Sequence, residues 1–252
     1  MKYIGIIPAR YASSRFPGKP LAMLGGKPVI WRVYERVAGL FDEVIVATDD
    51  VRIKECVEHC GGYALMTSAE LRSGTERVGE AYRLQGKQYD VVVNIQGDEP
   101  FISAQQIEAV KCLFDNADTQ IATIAKPFSE ADGLSALENP NTPKVVLNRR
   151  HQAMYFSRSV IPYVRGKAGG EWLAAHQFYK HIGLYAYRPQ VLQEIVQLQR
   201  TPLEAAECLE QLRWLENGYS IKVALTDIDT IGIDTPDDLL RAEAFLNQHH
   251  SL

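Results

Sequence analysis

Short β-branched runs alternate with amphipathic stretches through the first half of the chain, and each run closes on a turn signal. Ile4 to Ile7 predicts a buried strand that breaks at Pro8, and Glu43 to Thr48, Tyr63 to Thr67, Val91 to Ile95 and Gln120 to Lys126 predict four more. Between them Val29, Ile30, Val33, Tyr34 and Val37 recur at helical spacing behind Pro28, a residue suited to the first helical position. A second helix is expected from Val51 to Cys60, stopped by Gly61-Gly62 and opened by Asp49-Asp50, whose carboxylates suit a positive helix end. Ser73 with Glu76, and Ser103 with Gln106, have capping-box spacing and mark two further helix starts.

Strand and helix in alternation, with short connections, predict a three-layer α/β/α fold around a mostly parallel sheet. From Asn139-Pro140-Asn141-Thr142-Pro143 the texture changes: Lys144 to Leu147, Ala153 to Phe156 and His181 to Tyr187 read as strands, poorer in helix signals. Residues 149 to 188 therefore read as a β-rich extension of one domain spanning 1–252, with a loop at Arg165 to Gly170. Ser129 to Leu137 predicts a short helix, Leu203 to Asn217 a single helix stopped by Gly218, and Ser220 to Leu225 a last strand. Thr235, Pro236 and Asp238 mark the start of a closing helix.

Composition narrows the function classes. At 252 residues and 46% hydrophobic the chain can bury one large α/β core. A net charge of −4 gives no global basic field, so neither nucleic acid nor an anionic membrane surface is expected as a partner. No run is apolar and long enough to span a bilayer, and Pro8 and Arg10 interrupt the first run too early for a secretory segment, so a cytoplasmic location is expected. Cys56 and Cys60, with His59 between them, lack a second ligand pair and read, like Cys112 and Cys208, as buried helix-face thiols.

Candidate chemistry begins in the loop after the first strand, where Arg10, Arg15 and Lys19 gather three cations and Pro17-Gly18-Lys19-Pro20 stiffens the backbone. Such a loop, beyond the carboxyl end of a strand in an open sheet, suits a phosphate chain. Arg77 stands in a first helical turn, against the helix dipole, which points to a specific anionic partner. Asp98 follows the most apolar strand in Gln96-Gly97-Asp98-Glu99-Pro100, and Ser103 already caps the next helix, so this acid is left for other work. Asp234 lies just outside the Thr235 cap and pairs naturally with Asp98 as a second metal carboxylate. His181, Gly183, Tyr185 and Tyr187 share one strand face, which fits a sugar pocket, a solvent edge or a subunit interface equally. Glu207, Glu210 and Gln211 lie on one face of the expected helix, the usual sign of a solvated stripe. Phosphate-loop and dinucleotide-binding motifs are absent from the sequence, which leaves a sugar nucleotidyltransferase as the best α/β reading.

R-Y-A-S-S-R-F-P-G-K-P (10–20), Ser73-Gly74-Thr75-Glu76-Arg77, Gln96-Gly97-Asp98-Glu99-Pro100 and Gly232-Ile233-Asp234-Thr235-Pro236 together resemble the 3-deoxy-manno-octulosonate cytidylyltransferases, also called CMP-KDO synthetases. The resemblance implies a nucleotide-diphospho-sugar-transferase-like fold, a homodimer formed through the β-rich extension, and synthesis of CMP-KDO and pyrophosphate from CTP and 3-deoxy-D-manno-octulosonate (KDO) for lipopolysaccharide synthesis. It implies Mg²⁺ on Asp98 and Asp234, CTP on Ala9, Arg10, Ser13, Arg15, Lys19, Arg72 and Ser73, and the sugar acid on Arg77, Gln96, His181, Tyr185, Glu207 and Glu210. One departure stands out. Many members carry Asp-His just before the serine, whereas here Glu70-Leu71 precedes Arg72, and Leu71 cannot donate a hydrogen bond.

Overall fold

The computed structural model describes residues 1–12 and 15–248. The chain forms two compact units, one from Met1–Ile107 together with the chain from Thr230 on, the other Glu108–Asp229. In the first, β1 (Tyr3–Ala9) leads through the short ladder of β2 (Met23–Leu24) and β3 (Lys27–Pro28) to α1 (Val29–Val37), β4 (Glu43–Thr48), α2 (Val51–His59), β5 (Ala64–Met66), α3 (Gly74–Gln85), β6 (Val91–Asn94) and α4 (Ala104–Cys112). β1 runs parallel to β4 on one side and to β6 on the other, with β5 parallel beyond β4. Ile4, Ile6, Ile7, Val44 to Ala47 and Val91 to Val93 are all buried, which is why these strands read as unbroken apolar runs and not as alternating ones.

Because the strands are parallel, their carboxyl ends share one edge. The basic loop, Asp49-Asp50 and the Gln96-to-Pro100 turn all leave from it. The local signals fold as read: Asp50 caps α2 by accepting from Arg52 N at 2.9 Å, and Ser73 caps α3 by accepting from Glu76 N at 3.1 Å. Glu76 closes its side of the box one residue early, accepting from Arg72 N at 2.7 Å. Gln106 accepts from Ser103 N at 3.0 Å.

The second unit holds β7 (Ile121–Pro127), α5 (Gly133–Glu138), β8 (Lys144–Leu147), β9 (Ala153–Ser157), α6 (Trp172–Ala175), β10 (Tyr179–Tyr187), α7 (Pro189–Ile195), α8 (Pro202–Glu207), α9 (Glu210–Glu216) and β11 (Ile221–Leu225). β7 pairs parallel with β11 and antiparallel with β10, while β8 and β9 form an antiparallel hairpin. The single helix expected over Leu203 to Asn217 is two. Cys208, at φ 50°, stands in the left-handed region and separates α8 from α9. Arg158 makes the break stable, since its Nε donates to Glu207 O at 2.7 Å and its Nη2 to Cys208 O at 3.3 Å, satisfying carbonyls that a continuing helix would have bonded. The thiols also differ from expectation: Cys56 is half-buried, but Cys60, Cys112 and Cys208 are exposed, because the buried face of α2 is carried by Ile53 and Val57.

The last helix, α10 (Pro236–Gln248), returns to the first unit behind the Thr235–Asp238 capping box, with Asp238 N donating to Thr235 Oγ1 at 3.2 Å and Thr235 N to Asp238 Oδ2 at 2.8 Å. Ile233 and Ala242 pack with Leu24 and Val29, flanked by Leu239 and Leu246. That packing fixes where Asp234 falls.

Candidate active site

The loop after β1 turns at Gly18, whose φ of 73° suits glycine and whose N–H donates to Tyr11 O at 2.9 Å. Tyr11 is itself held from outside: the Arg52 guanidinium lies 3.4 Å from its ring centroid while chelating Asp50. Lys19 then projects from the first residue of a short 3₁₀ turn, Lys19–Leu21. At the tip of β6, Gly97 lets the two loops meet, because a Cβ there would stand 2.8 Å from Pro8 O. Ile233 N donates to Asp98 O at 2.8 Å, a bond that ties the loop before α10 to the β6 tip and sets the two acids side by side.

These constraints bring Lys19, Asp98 and Asp234 together. Lys19 Nζ lies 2.7 Å from Asp98 Oδ2 and 3.5 Å from Asp234 Oδ1, and Arg15 approaches Asp234 Oδ2 at 2.6 Å. With Ala9, Arg10, Arg77, Gln96 and Gly74 they line one cavity of about 240 Å³. Arg72 and Ser73 are outside its lining, and Ser13 lies outside the described residues.

Arg77 has the anionic partner that its position demanded, and that partner is internal. Its guanidinium, 1% exposed, donates to Asp49 Oδ2 at 2.8 Å and Thr67 Oγ1 at 2.5 Å, and burial holds it below the usual arginine range. Asp49 is therefore the acid of an ion pair, and only Asp50 serves as the helix opener expected of both. Arg77 Nε is buried and unpaired. Glu99, read only as part of a strand stop, is a second surprise: burial, with the neighbouring Asp98 charge, pushes its carboxyl up to about 8, and its Oε2 is buried with no partner. Its adjacency to Asp98 was the one available signal.

Two carboxylates converging on one point fit a hard cation such as Mg²⁺, which takes one or two protein carboxylates and fills its other positions with phosphate oxygens and water. No group of three or more candidate ligands occurs among the described residues.

The remaining expected sugar residues belong to the second unit. His181, Tyr185 and Tyr187 do share a face of β10: His181 and Tyr185 rings are 5.3 Å apart, Tyr185 stacks on Tyr187 at 6.1 Å, and Trp214 meets both edge-on. Burial pushes the Tyr185 hydroxyl well above its usual range and the His181 imidazole down to about 3. Glu207 accepts from Ser157 Oγ at 2.6 Å and Arg158 N at 2.9 Å, so its carboxylate joins α8 to β9. Glu210 is paired with Arg213 at 2.6 Å. The break at Cys208 removes the common helix face on which both had been placed.

A strand-end cradle of cations facing two carboxylates, on a mixed and mostly parallel α/β sheet, defines a nucleotidyltransferase. A cytidylyltransferase family model matches residues 4–223. The chain is 64% identical over 247 residues to the 3-deoxy-manno-octulosonate cytidylyltransferase of Parabacteroides distasonis, covering 98% of each chain. It is 63% identical to that of Phocaeicola vulgatus, again with 98% of each covered. Among solved structures, that of CMP:2-keto-3-deoxy-manno-octonic acid synthetase complexed with CTP matches with a TM-score of 0.89 and 40% identity, over 99% of this chain and 100% of the other. The chain belongs to the 3-deoxy-manno-octulosonate cytidylyltransferase family, enzymes of nucleotidyl transfer.

Proposed function

We propose that the chain transfers CMP from CTP to 3-deoxy-D-manno-octulosonate, releasing pyrophosphate. The observation that carries the reading is the convergence of Lys19, Asp98 and Asp234 beside the basic loop. Arg10, Arg15 and Lys19 take the triphosphate, and Lys19 stays with the departing pyrophosphate, neutralising charge as the bond from the α-phosphorus to the bridging oxygen breaks. Asp98 and Asp234 hold Mg²⁺, which supplies Lewis-acid polarisation of the α-phosphate. Gln96 lies beside the acids in the same cavity and orients the sugar acid there, with Arg77 held behind it by Asp49. The new bond joins the anomeric oxygen of the sugar to the α-phosphorus in line with the leaving group as the hydroxyl gives up its proton to water, so positioning and charge carry the catalysis.

The test is pyrophosphate release from CTP and Mg²⁺ with and without the octulosonate, with ATP, GTP and UTP as controls. Release that requires both CTP and the octulosonate supports the reading. Release with sialic acid alone would move the sugar, and silence with every sugar acid would overturn it.

We also place the protein in the cytoplasm, in keeping with the absence, among the described residues, of any helix long and apolar enough to cross a membrane. A homodimer is proposed through the face around β9, where Met154 is 61% and Tyr163 72% exposed. Light scattering should give twice the chain mass, and Met154→Glu should lower it.

A further inference from the structure

Arg32 and Arg36 stand one turn apart on α1 and open onto a cavity of about 340 Å³ in the first unit, which shares no lining residue with the cavity of Lys19, Asp98 and Asp234. Two cations at i and i+4 repel each other on a helix, so this face wants an anion. The acid that lines the cavity is already taken. Glu35 accepts from Lys27 Nζ through both carboxylate oxygens, at 2.8 and 2.7 Å. The two guanidinium groups bond main-chain oxygens instead: Arg32 donates through Nε to Leu24 O at 2.9 Å and through Nη2 to Gly25 O at 2.6 Å, and Arg36 donates through Nε to Ile102 O at 2.6 Å. Carbonyls orient these groups without neutralising them, and neither arginine forms an ion pair with any described residue. Both Nη of Arg36 are left to serve another acceptor.

The rest of the wall is apolar. Phe101 is held edge-on by Phe245, with ring centroids 4.9 Å apart, and Leu246 closes in over Gly25. A Cβ on Gly25 would collide with Leu246 Cδ2 and stand 2.7 Å from Arg32 Nη2, so glycine is what lets the apolar wall and the guanidinium meet. We propose that this cavity is a separate site for a small organic phosphate, with its oxygens on Arg32 and Arg36 and an apolar or aromatic body against Phe101 and Leu246. A guanidinium offers paired N–H donors that match phosphate oxygens, and heads fixed in advance by carbonyls lose little freedom when a ligand arrives. The site uses neither the octulosonate nor the metal, so it stands independently of the proposed reaction.

Phenyl phosphate is the probe, titrated by heteronuclear NMR into full-length protein with saturating CTP and no metal, so that nucleotide fills the other cavity. Phe101 and Leu246 resonances should shift saturably, with Overhauser contacts from the phenyl protons to the Leu246 methyls. Inorganic phosphate should bind about tenfold more weakly, having no body to bury, and phenol should not bind. Arg36→Gln and Arg32→Gln should each weaken phenyl phosphate about tenfold; should either variant fail to fold, the wild-type contacts decide. No saturable shift at Phe101 and Leu246, or shifts that vanish once CTP is present, overturns the site. Inorganic phosphate binding as tightly as phenyl phosphate overturns the apolar half of the assignment, and phenol binding as tightly overturns the anionic half.

Discussion

Lys19 Nζ lies between Asp98 and Asp234, which under the proposed function is the place a phosphate-bound cation would share when the nucleotide arrives. Asp98→Asn keeps the shape and removes half of the anionic pair. It should lower kcat by at least about a hundredfold while metal-free CTP binding, measured by equilibrium titration, changes little; unchanged turnover would show that Asp98 is not a cation ligand. That the two acids stand apart from the helix caps was legible, because Ser103 and Thr235 accounted for the helix starts; that both reach Lys19 was not. Arg77 was legible as a violation of the helix dipole, but its partner was not. The pair with Asp49 depends on α3 lying against the end of β4, a contact between residues 28 apart in sequence. Asp49→Asn leaves that buried guanidinium uncompensated and should cost about 3 kcal/mol, read from the midpoint of urea unfolding.

At the scale of elements, periodicity predicted the strands well because a parallel strand buried on both faces is an apolar run bounded by turns. It failed over Leu203 to Asn217, where every residue is compatible with helix and the break is imposed by Arg158 reaching the carbonyls from another element. A window of local sequence carries no trace of that reach. Cys208 consequently adopts a backbone conformation that glycine takes at lower cost. Cys208→Gly should stabilise the protein by about 0.5–1 kcal/mol, measured by thermal or denaturant unfolding, and a loss of stability would mean that the cysteine side chain contributes more there than its backbone costs. Gly97 has the opposite character. Its replacement by Ala would push the β6 tip off Pro8 O and separate the loops that carry Lys19 and Asp98, so activity should fall further than stability does.

For the molecule as a whole, the alternation of strand and helix was enough to give the sheet's class, but the grouping into two compact units had no composition shift or linker to announce it. The tertiary environment also decides how stability responds to acid, and His181 shows the direction. In the unfolded chain its imidazole takes up a proton near 6.5; in the fold, desolvation delays that uptake to about 3. Above 6.5 both states are neutral at this residue and it contributes no pH dependence. As pH falls from 6.5 toward 3 the unfolded chain binds a proton that the native chain refuses, so native stability declines across that window and levels off below it. Chemical denaturation at a series of pH values should therefore show a flatter acid limb for His181→Asn than for wild type, with the two curves parallel above neutrality. Parallel curves throughout would mean that His181 titrates normally in the fold, and that the packing of Phe156 and Tyr185 around it leaves the ring fully solvated.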